Sequence, residues 1–319
     1  MGTKKMMKAV SFNQYGGPEV LKYGDVPIPD IGPDEVLIKV AATAVNPADA
    51  YIRAGVATAR LKIEFPFIPG VEVSGIIEET GESVKGFKAG DRVFGFLDFA
   101  KSGGAAEYVA VRADYVHLAP KNIPLQDAAA IPATGLCAWQ ALFEHGNLQA
   151  GQRVLITNAA GGVGSLAVQL AKWKGAYVIG TASERNFSAL KIFGVDEIVD
   201  YKNETIEGKV KTPLDLLFTI APDGTEAQTR LLSLLKRGGT HVAATHPADE
   251  ARAKELGVKT LMMGTQHKDE QLAEIARLVD EGHLKPFITE RLPLSNLAAA
   301  HEKAGQTPGK ALIVVDSAL

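Results

Sequence analysis

The sequence predicts an α/β protein in two parts: a doubly wound parallel sheet with helices, and an antiparallel, partly closed β-barrel. Three observations carry this. Short strand-like runs separated by glycine turns fill the first third of the chain. Isolated strands then alternate with amphipathic helices, and a glycine-rich strand-to-helix junction opens that alternation. At 319 residues the chain is long for one hydrophobic core, so its length also favours about two domains.

The barrel is read from Lys8 to Pro120. In "EVLIKVAATAV" Val36, Ile38 and Val40 alternate toward one side, and "VEVSGIIEE", "DRVFGF" and "AEYVAV" follow at short intervals, punctuated by Gly81, Gly86, Gly90 and Gly95. After "PKNIPLQDAAAIPATG" the apolar positions recur at helical spacing. "RVLIT" reads as a strand, and beyond a glycine turn Val163, Leu166, Ala167, Leu170 and Ala171 share one helix face. "AYVIGT", "ERNFSALKIF" ending at Gly194, and "DEIVDY" complete a β-α-β-α-β unit. "LDLLFTI", "EAQTRLLSLL", "GTHVAAT" and "VKTLMMG" continue it. From about Gln266 a long amphipathic helix, "KDEQLAEIARLVDEG", leads to "LKPFITERLPL", "SNLAAAHEKAG" and a last strand "GKALIVV". This piece is too short for a core of its own and is expected to pack back onto the barrel.

Composition removes several classes. With 46% hydrophobic and 22% charged residues and 32 scattered glycines, the chain is neither disordered nor fibrous. A net charge of -3 supplies no basic field for a nucleic acid backbone. Cys137 is the only cysteine, so an intrachain disulfide and a cysteine-rich zinc site are both impossible. "MGTKKMMKAV" is basic but leads into no apolar signal region, and no run is long enough to span a bilayer. A cytoplasmic protein is expected.

In "TNAAGGVGS" Ala159 takes the first glycine position of a dinucleotide-binding turn, Gly161 the second and Gly164 the third. The first glycine serves the turn, the second backbone approach to a pyrophosphate, the third helix packing. Ala160, Gly161, Gly162, Val163 and Gly164 are therefore the expected phosphate-facing residues, with a helix starting near Gly162 and offering its amides to an anion. A bare glycine turn is the rival reading, and the strand-turn-helix context favours the dinucleotide. The next strand ends in Thr181, followed by "ASERN". No acid stands at Thr181, while a hydroxyl at Ser183 and the guanidinium of Arg185 suit a 2′-phosphate, so NADP(H) is the expected cofactor. Two other readings stay open: Ser183 as a helix cap, and Glu184 holding the ribose of NAD.

At this point the chain resembles the medium-chain dehydrogenase/reductases, and within them the zinc-free quinone oxidoreductases related to ζ-crystallin. The likeness runs through "GPEVLKYGDVPIPDIGPDEVLIKVAATAVNPADAYIRAG", "FPFIPGVEVSGIIEETG", "FKAGDRVFGF", "AAIPATGLCAWQAL", "VLITNAAGGVGSLAVQLAK", "GVDEIVDY", "GHLKPFITERLPLSNLAAAHE" and "GKALIVV". It implies a GroES-like domain, 1–128 with 265–319, carrying substrate and catalytic residues, and a Rossmann NADP-binding domain, 129–264. Zinc-dependent relatives use a cysteine in the early loop and a histidine after the "PG" turn; here the loop is "VNPADAY" and Val71 follows the glycine. Both ligands are absent, and the resemblance then points to reduction of quinones or α,β-unsaturated carbonyls without a metal.

The same resemblance places Asn46 and Tyr51 at the nicotinamide, Tyr51 as donor to the substrate oxygen and Asn46 as a positioning residue. Asp49 is expected to cap a loop or helix start, and aromatic packing is the rival role for Tyr51. Thr134 is implied at the nicotinamide end and Tyr201 at the adenosine phosphate, against a helix cap and a buried strand terminus. Ile220 and Thr245 end the next two strands, where relatives bring backbone to the ribose and nicotinamide. Relatives often pair through the Rossmann sheet, so a homodimer is expected. Cys137 reads as an inert core thiol, and His241 and His246 are too few for a metal. Two rival activities remain: reduction of an enoyl thioester, and NADPH binding without turnover in a sensor or structural protein.

Overall fold

The computed structural model describes residues 5–56, 58 and 61–319. It forms two compact units: Met1–Ala133 with His267–Gly282 and Pro286–Leu319, and Thr134–Gln266 with His283–Lys285. The expected span 129–264 is thereby corrected at its edges. Ala129 and Ala130 are buried with Ala42, Ala44 and Leu312 of the first unit, and this apolar contact keeps 129–133 there.

In the first unit β1 (Met6–Ser11) and β2 (Lys22–Pro27) form an antiparallel ribbon. The main sheet is built on β3 (Glu35–Ala44), followed by α1 (Pro47–Arg53), β4 (Glu72–Thr80), β5 (Arg92–Phe96), β6 (Tyr108–Arg112), β7 (Val116–Leu118) and the short α2 (Leu125–Ala128). β3 pairs with β4 along one edge, and two register shifts in that pairing bend the strand. Its alternation is the one expected: Val36, Ile38 and Val40 are fully buried with Val73, Ile77, Val93 and Val109.

The second unit opens at Thr134, within α3 (Pro132–Trp139), and alternates β8 (Arg153–Ile156), α4 (Gly162–Trp173), β9 (Tyr177–Ala182), α5 (Phe187–Ile192), β10 (Glu197–Asp200), α6 (Ile206–Lys209), β11 (Leu214–Thr219), α7 (Gly224–Leu231), β12 (Leu235–Ala243), α8 (Glu250–Leu256) and β13 (Lys259–Met262). All pairings in this sheet are parallel, in the order β10-β9-β8-β11-β12-β13. The chain winds outward from β8 to β10, then crosses to β11 and winds the other way. That reversal is a topological switch point, and open parallel sheets take their ligands at the carboxyl ends of the strands beside such a point.

The chain then returns to the first unit as α9 (Asp269–Asp280), β14 (Ile288–Pro293), α10 (Leu297–Glu302) and β15 (Lys310–Val314). β6 takes the first half of the free edge of β3, at Glu35–Lys39, and β15 takes the second, at Ala42–Ala44. The returning strands β14 and β15 thus share one sheet with β3–β7. The α/β class with a largely antiparallel sheet, in which only β14 and β15 pair in parallel, and a doubly wound parallel sheet is the class the sequence predicts.

Candidate active site

The glycine loop leaves β8 through Thr157 and turns at Asn158, which is left-handed with φ +50°. Its amide donates to Thr181 Oγ1 at 3.0 Å, and the Ala159 amide donates to the Thr181 carbonyl at 3.0 Å. Gly161 N closes the turn on Asn158 O at 2.9 Å. Asparagine tolerates the left-handed region better than other side chains. The strained residue therefore precedes Ala159, and an alanine is permitted where a glycine is usual. Gly164 has no such latitude: a Cβ there would collide with Asn158 O and lie 2.7 Å from Ala159 Cα. At Gly161 it would lie 2.8 Å from Asn158 Nδ2.

α4 starts at Gly162 with Gly161 as its cap residue and no side-chain capping bond. The first-turn amides of this 12-residue helix, at Gly162, Val163 and Gly164, have no side-chain cap, and the absent Cβ atoms of Gly161 and Gly164 let Asn158 and Ala159 pack close against its start. Ala160 is buried beside it and Val163 half-buried. These residues fit a pyrophosphate.

At the end of β9, Thr181 is buried and its hydroxyl is spent on Asn158, so it shapes the loop. Ser183 is buried at the cap position of the next turn, yet its side chain makes no capping bond, which corrects the cap reading. Glu184 and Arg185 are exposed. Tyr201 is 54% exposed, which corrects the buried-terminus reading, and it follows Asp200, the register partner of Ala182. Ser183 and Tyr201 thus leave adjacent strands at one level. Beyond β11, Ile220 N and Ala221 N donate to Thr157 Oγ1 at 2.8 and 3.1 Å. Thr245, after β12, donates to Ala221 O at 3.0 Å. Thr134 is buried in α3.

In the first unit Asn46 Oδ1 accepts from Ala48 N at 3.1 Å, which caps α1 with Pro47 at its first position. Its Nδ2 donates to Glu72 Oε2 at 3.4 Å. Asp49, in the first turn of α1, does what was expected of it: its carboxyl accepts from the backbone of Gly70 in a neighbouring loop and of Asn46 at the helix start. Asp49 lies on the buried face of α1, where Oδ1 accepts from Gly70 N at 2.9 Å and Oδ2 has no partner. Burial pushes its carboxyl up to about 7. Tyr51 is 57% exposed and has no ring partner among the described residues. It stands exposed on a short, well-anchored helix.

The sequence reading missed two buried polar pairs that hold this helix, one of them an ion pair. Glu72 receives Ala133 N at 2.9 Å and is paired with Lys310 of β15, both buried. Arg53 donates to Gly16 O at 3.1 Å and meets His301 Nδ1 at 3.0 Å. Burial, and secondarily the Arg53 charge, push His301 down to about 4, so it is a neutral acceptor. Faint signals existed: an acid inside the apolar run "PGVEVSGI" and a lysine opening "GKALIVV". Cys137 is buried and its thiol is pushed up to about 11 by burial, which fits an inert thiol.

The first-domain region, residues 32–121, matches the family model for the alcohol dehydrogenase GroES-like domain, and residues 193–313 match that for zinc-binding dehydrogenase. Quinone oxidoreductase of Rattus norvegicus is 34% identical over 96% of both chains. The chloroplastic quinone-oxidoreductase QR1 of Triphysaria versicolor is 34% identical over 97% of this chain and 98% of its own. The chain belongs to the medium-chain dehydrogenase/reductases. Among solved structures of this superfamily, the quinone oxidoreductase from Coxiella burnetii superposes with TM-score 0.88 at 33% identity, covering 98% of this chain and all of that one. An NAD-dependent alcohol dehydrogenase also superposes at 0.88, with 29% identity. The superfamily depends on nicotinamide dinucleotides, and this member is an oxidoreductase with a GroES-like and a Rossmann unit. Zinc does not fit it. Val71 has no donor atom, and no three His, Cys, Asp or Glu side chains gather into a metal site among the described residues.

Proposed function

We propose that the protein is a zinc-independent reductase that transfers hydride from NADPH to a quinone or an α,β-unsaturated carbonyl. The observation that carries the cofactor choice is the end of β9: the Ser183 hydroxyl makes no capping bond, Arg185 is exposed, and no carboxylate stands at Thr181. A planar guanidinium and a hydroxyl suit a 2′-phosphate. The names of the relatives support a quinone as acceptor.

When bound, the dinucleotide supplies the hydride. The chain supplies the rest. The α4 amides hold the pyrophosphate, and Ile220 and Thr245 present backbone toward the nicotinamide half, with Thr134 and Tyr201 at its two ends. Tyr51 donates to the acceptor's oxygen as charge develops there, so that no metal is needed. Asn46 keeps α1, and with it Tyr51, in place through its cap.

One screen tests the reading: oxidation of NADPH and of NADH by purified protein with quinones, enones, aldehydes and an enoyl thioester, with metal analysis of the same sample. NADPH should be preferred, with quinones or enones as acceptors and metal below stoichiometry. Alcohol oxidation without quinone or enone reduction would sink it. Tight NADPH binding with no acceptor would instead favour a sensor.

A further inference from the structure

A buried chain of hydrogen bonds crosses β11, β12 and β13 and ends at the backbone beyond β11. Thr260 Oγ1 lies 2.8 Å from His241 Nδ1, and His241 Nε2 lies 2.9 Å from Thr219 Oγ1. Thr219 donates to Gln228 Oε1 of α7 at 2.8 Å, Gln228 Nε2 donates to Thr245 Oγ1 at 3.2 Å, and Thr245 donates to Ala221 O at 3.0 Å. His241, Thr219 and Gln228 are almost wholly buried. Polar groups this deep are costly unless paired, and these are paired end to end.

The chain has a direction. Each hydroxyl owns one proton and a neutral imidazole one N–H, so a choice at one link fixes all the others. With Thr219 donating to Gln228, His241 must donate from Nε2 and accept from Thr260 at Nδ1. With the Gln228 amide donating to Thr245, the proton of Thr245 is free to reach Ala221 O. Reversal would turn the Thr245 hydroxyl back onto Gln228 and leave that carbonyl without its donor. The amides of Ile220 and Ala221 are held from the other side by Thr157 Oγ1. The two-residue segment is therefore gripped at both of its amides and at its carbonyl.

We propose that Gln228 is a positioning residue for the dinucleotide: through Thr245 it holds the Ile220–Ala221 backbone in the orientation that receives the nicotinamide half. This rests on the reading of the second unit as an NADPH site. Gln228 touches no ligand itself; it acts by transmitting one direction of hydrogen bonding from His241 to Ala221.

Two substitutions at one position separate direction from mere packing. Gln228→Met keeps the volume and removes both links, and should weaken NADPH binding by about tenfold, measured by NADPH fluorescence on the full chain. Gln228→Glu keeps the shape but answers to pH, since burial raises a carboxyl's pKa. When protonated it can accept from Thr219 and donate to Thr245, as glutamine does; when ionised it only accepts. The ratio of its Kd to that of the wild type should be within about twofold at roughly pH 6 and rise to about tenfold at roughly pH 9. Melting temperatures confirm that each variant is folded. If either fails to fold, Thr219→Val and Thr219→Ser decide: valine should weaken binding about tenfold, and serine, which restores the hydroxyl, within about twofold of wild type. A pH-independent ratio with Gln228→Met binding like wild type, or valine and serine binding alike, would overturn the proposal. A wild type that binds neither NADPH nor NADH would overturn the proposed function itself and this inference with it, a result distinct from variants that match a binding wild type.

Discussion

Single residues account for the alanine in the glycine loop. Ala159 is tolerated because the left-handed turn falls on Asn158, and Gly164 is required because a Cβ there has nowhere to go. The glycines could be read from spacing, whereas the position of the turn depends on which backbone torsions the fold imposes. Arg185→Ala should raise KM for NADPH by about tenfold and leave that for NADH within about twofold, since only the former carries a 2′-phosphate to lose a charged partner. Steady-state kinetics with both cofactors checks this, and equal losses for the two would count against the NADP assignment. Tyr51→Phe removes one hydroxyl from an exposed side chain and little else; kcat should fall roughly 100-fold with Kd for NADPH unchanged. An unchanged kcat would take Tyr51 out of the reaction.

Among the elements, α1 shows how a short helix becomes a fixed platform. Its seven residues are too few to be stable alone, and they are held by the Asn46 cap, by Asp49 on Gly70 N and by Arg53 on Gly16 and His301. The two titratable groups beneath it act on stability with opposite signs. His301 stays neutral down to about 4 while its unfolded counterpart gains a proton near 6.5, so stability is lost as pH falls between these values. Asp49 keeps its proton up to about 7 while the unfolded carboxyl ionises near 3.8, so stability is lost as pH rises across that interval. Denaturant midpoints across this range should therefore rise more steeply with pH in Asp49→Asn than in wild type, and less steeply in His301→Gln. Parallel profiles would show that neither group is buried as described. The helix was legible only as a loop in the sequence, because its anchors are distant: Arg53 and His301 are 248 positions apart.

For the molecule as a whole, the absence of zinc ligands was legible before any fold was known, since Val71 carries no donor atom and Cys137 stands alone. Exhaustive dialysis against a chelator should leave both melting temperature and NADPH oxidation unchanged; activity lost on dialysis and restored by zinc would refute this. The sequence by itself determined the two-part α/β architecture, the glycine-rich strand–turn–helix at β8 and α4, and the valine without a donor atom at position 71. Those features are local: periodicity of two or 3.6 and side-chain chemistry act over a few residues. Only the tertiary structure decided that β15 closes onto β3, that Lys310 neutralises Glu72 within the first unit, and that a hydrogen-bond chain from His241 ends on the Ala221 carbonyl. Each depends on residues far apart in the chain that meet only once the sheets form. A buried polar group has no signature in sequence beyond its presence in an apolar run, because its partner is chosen by packing.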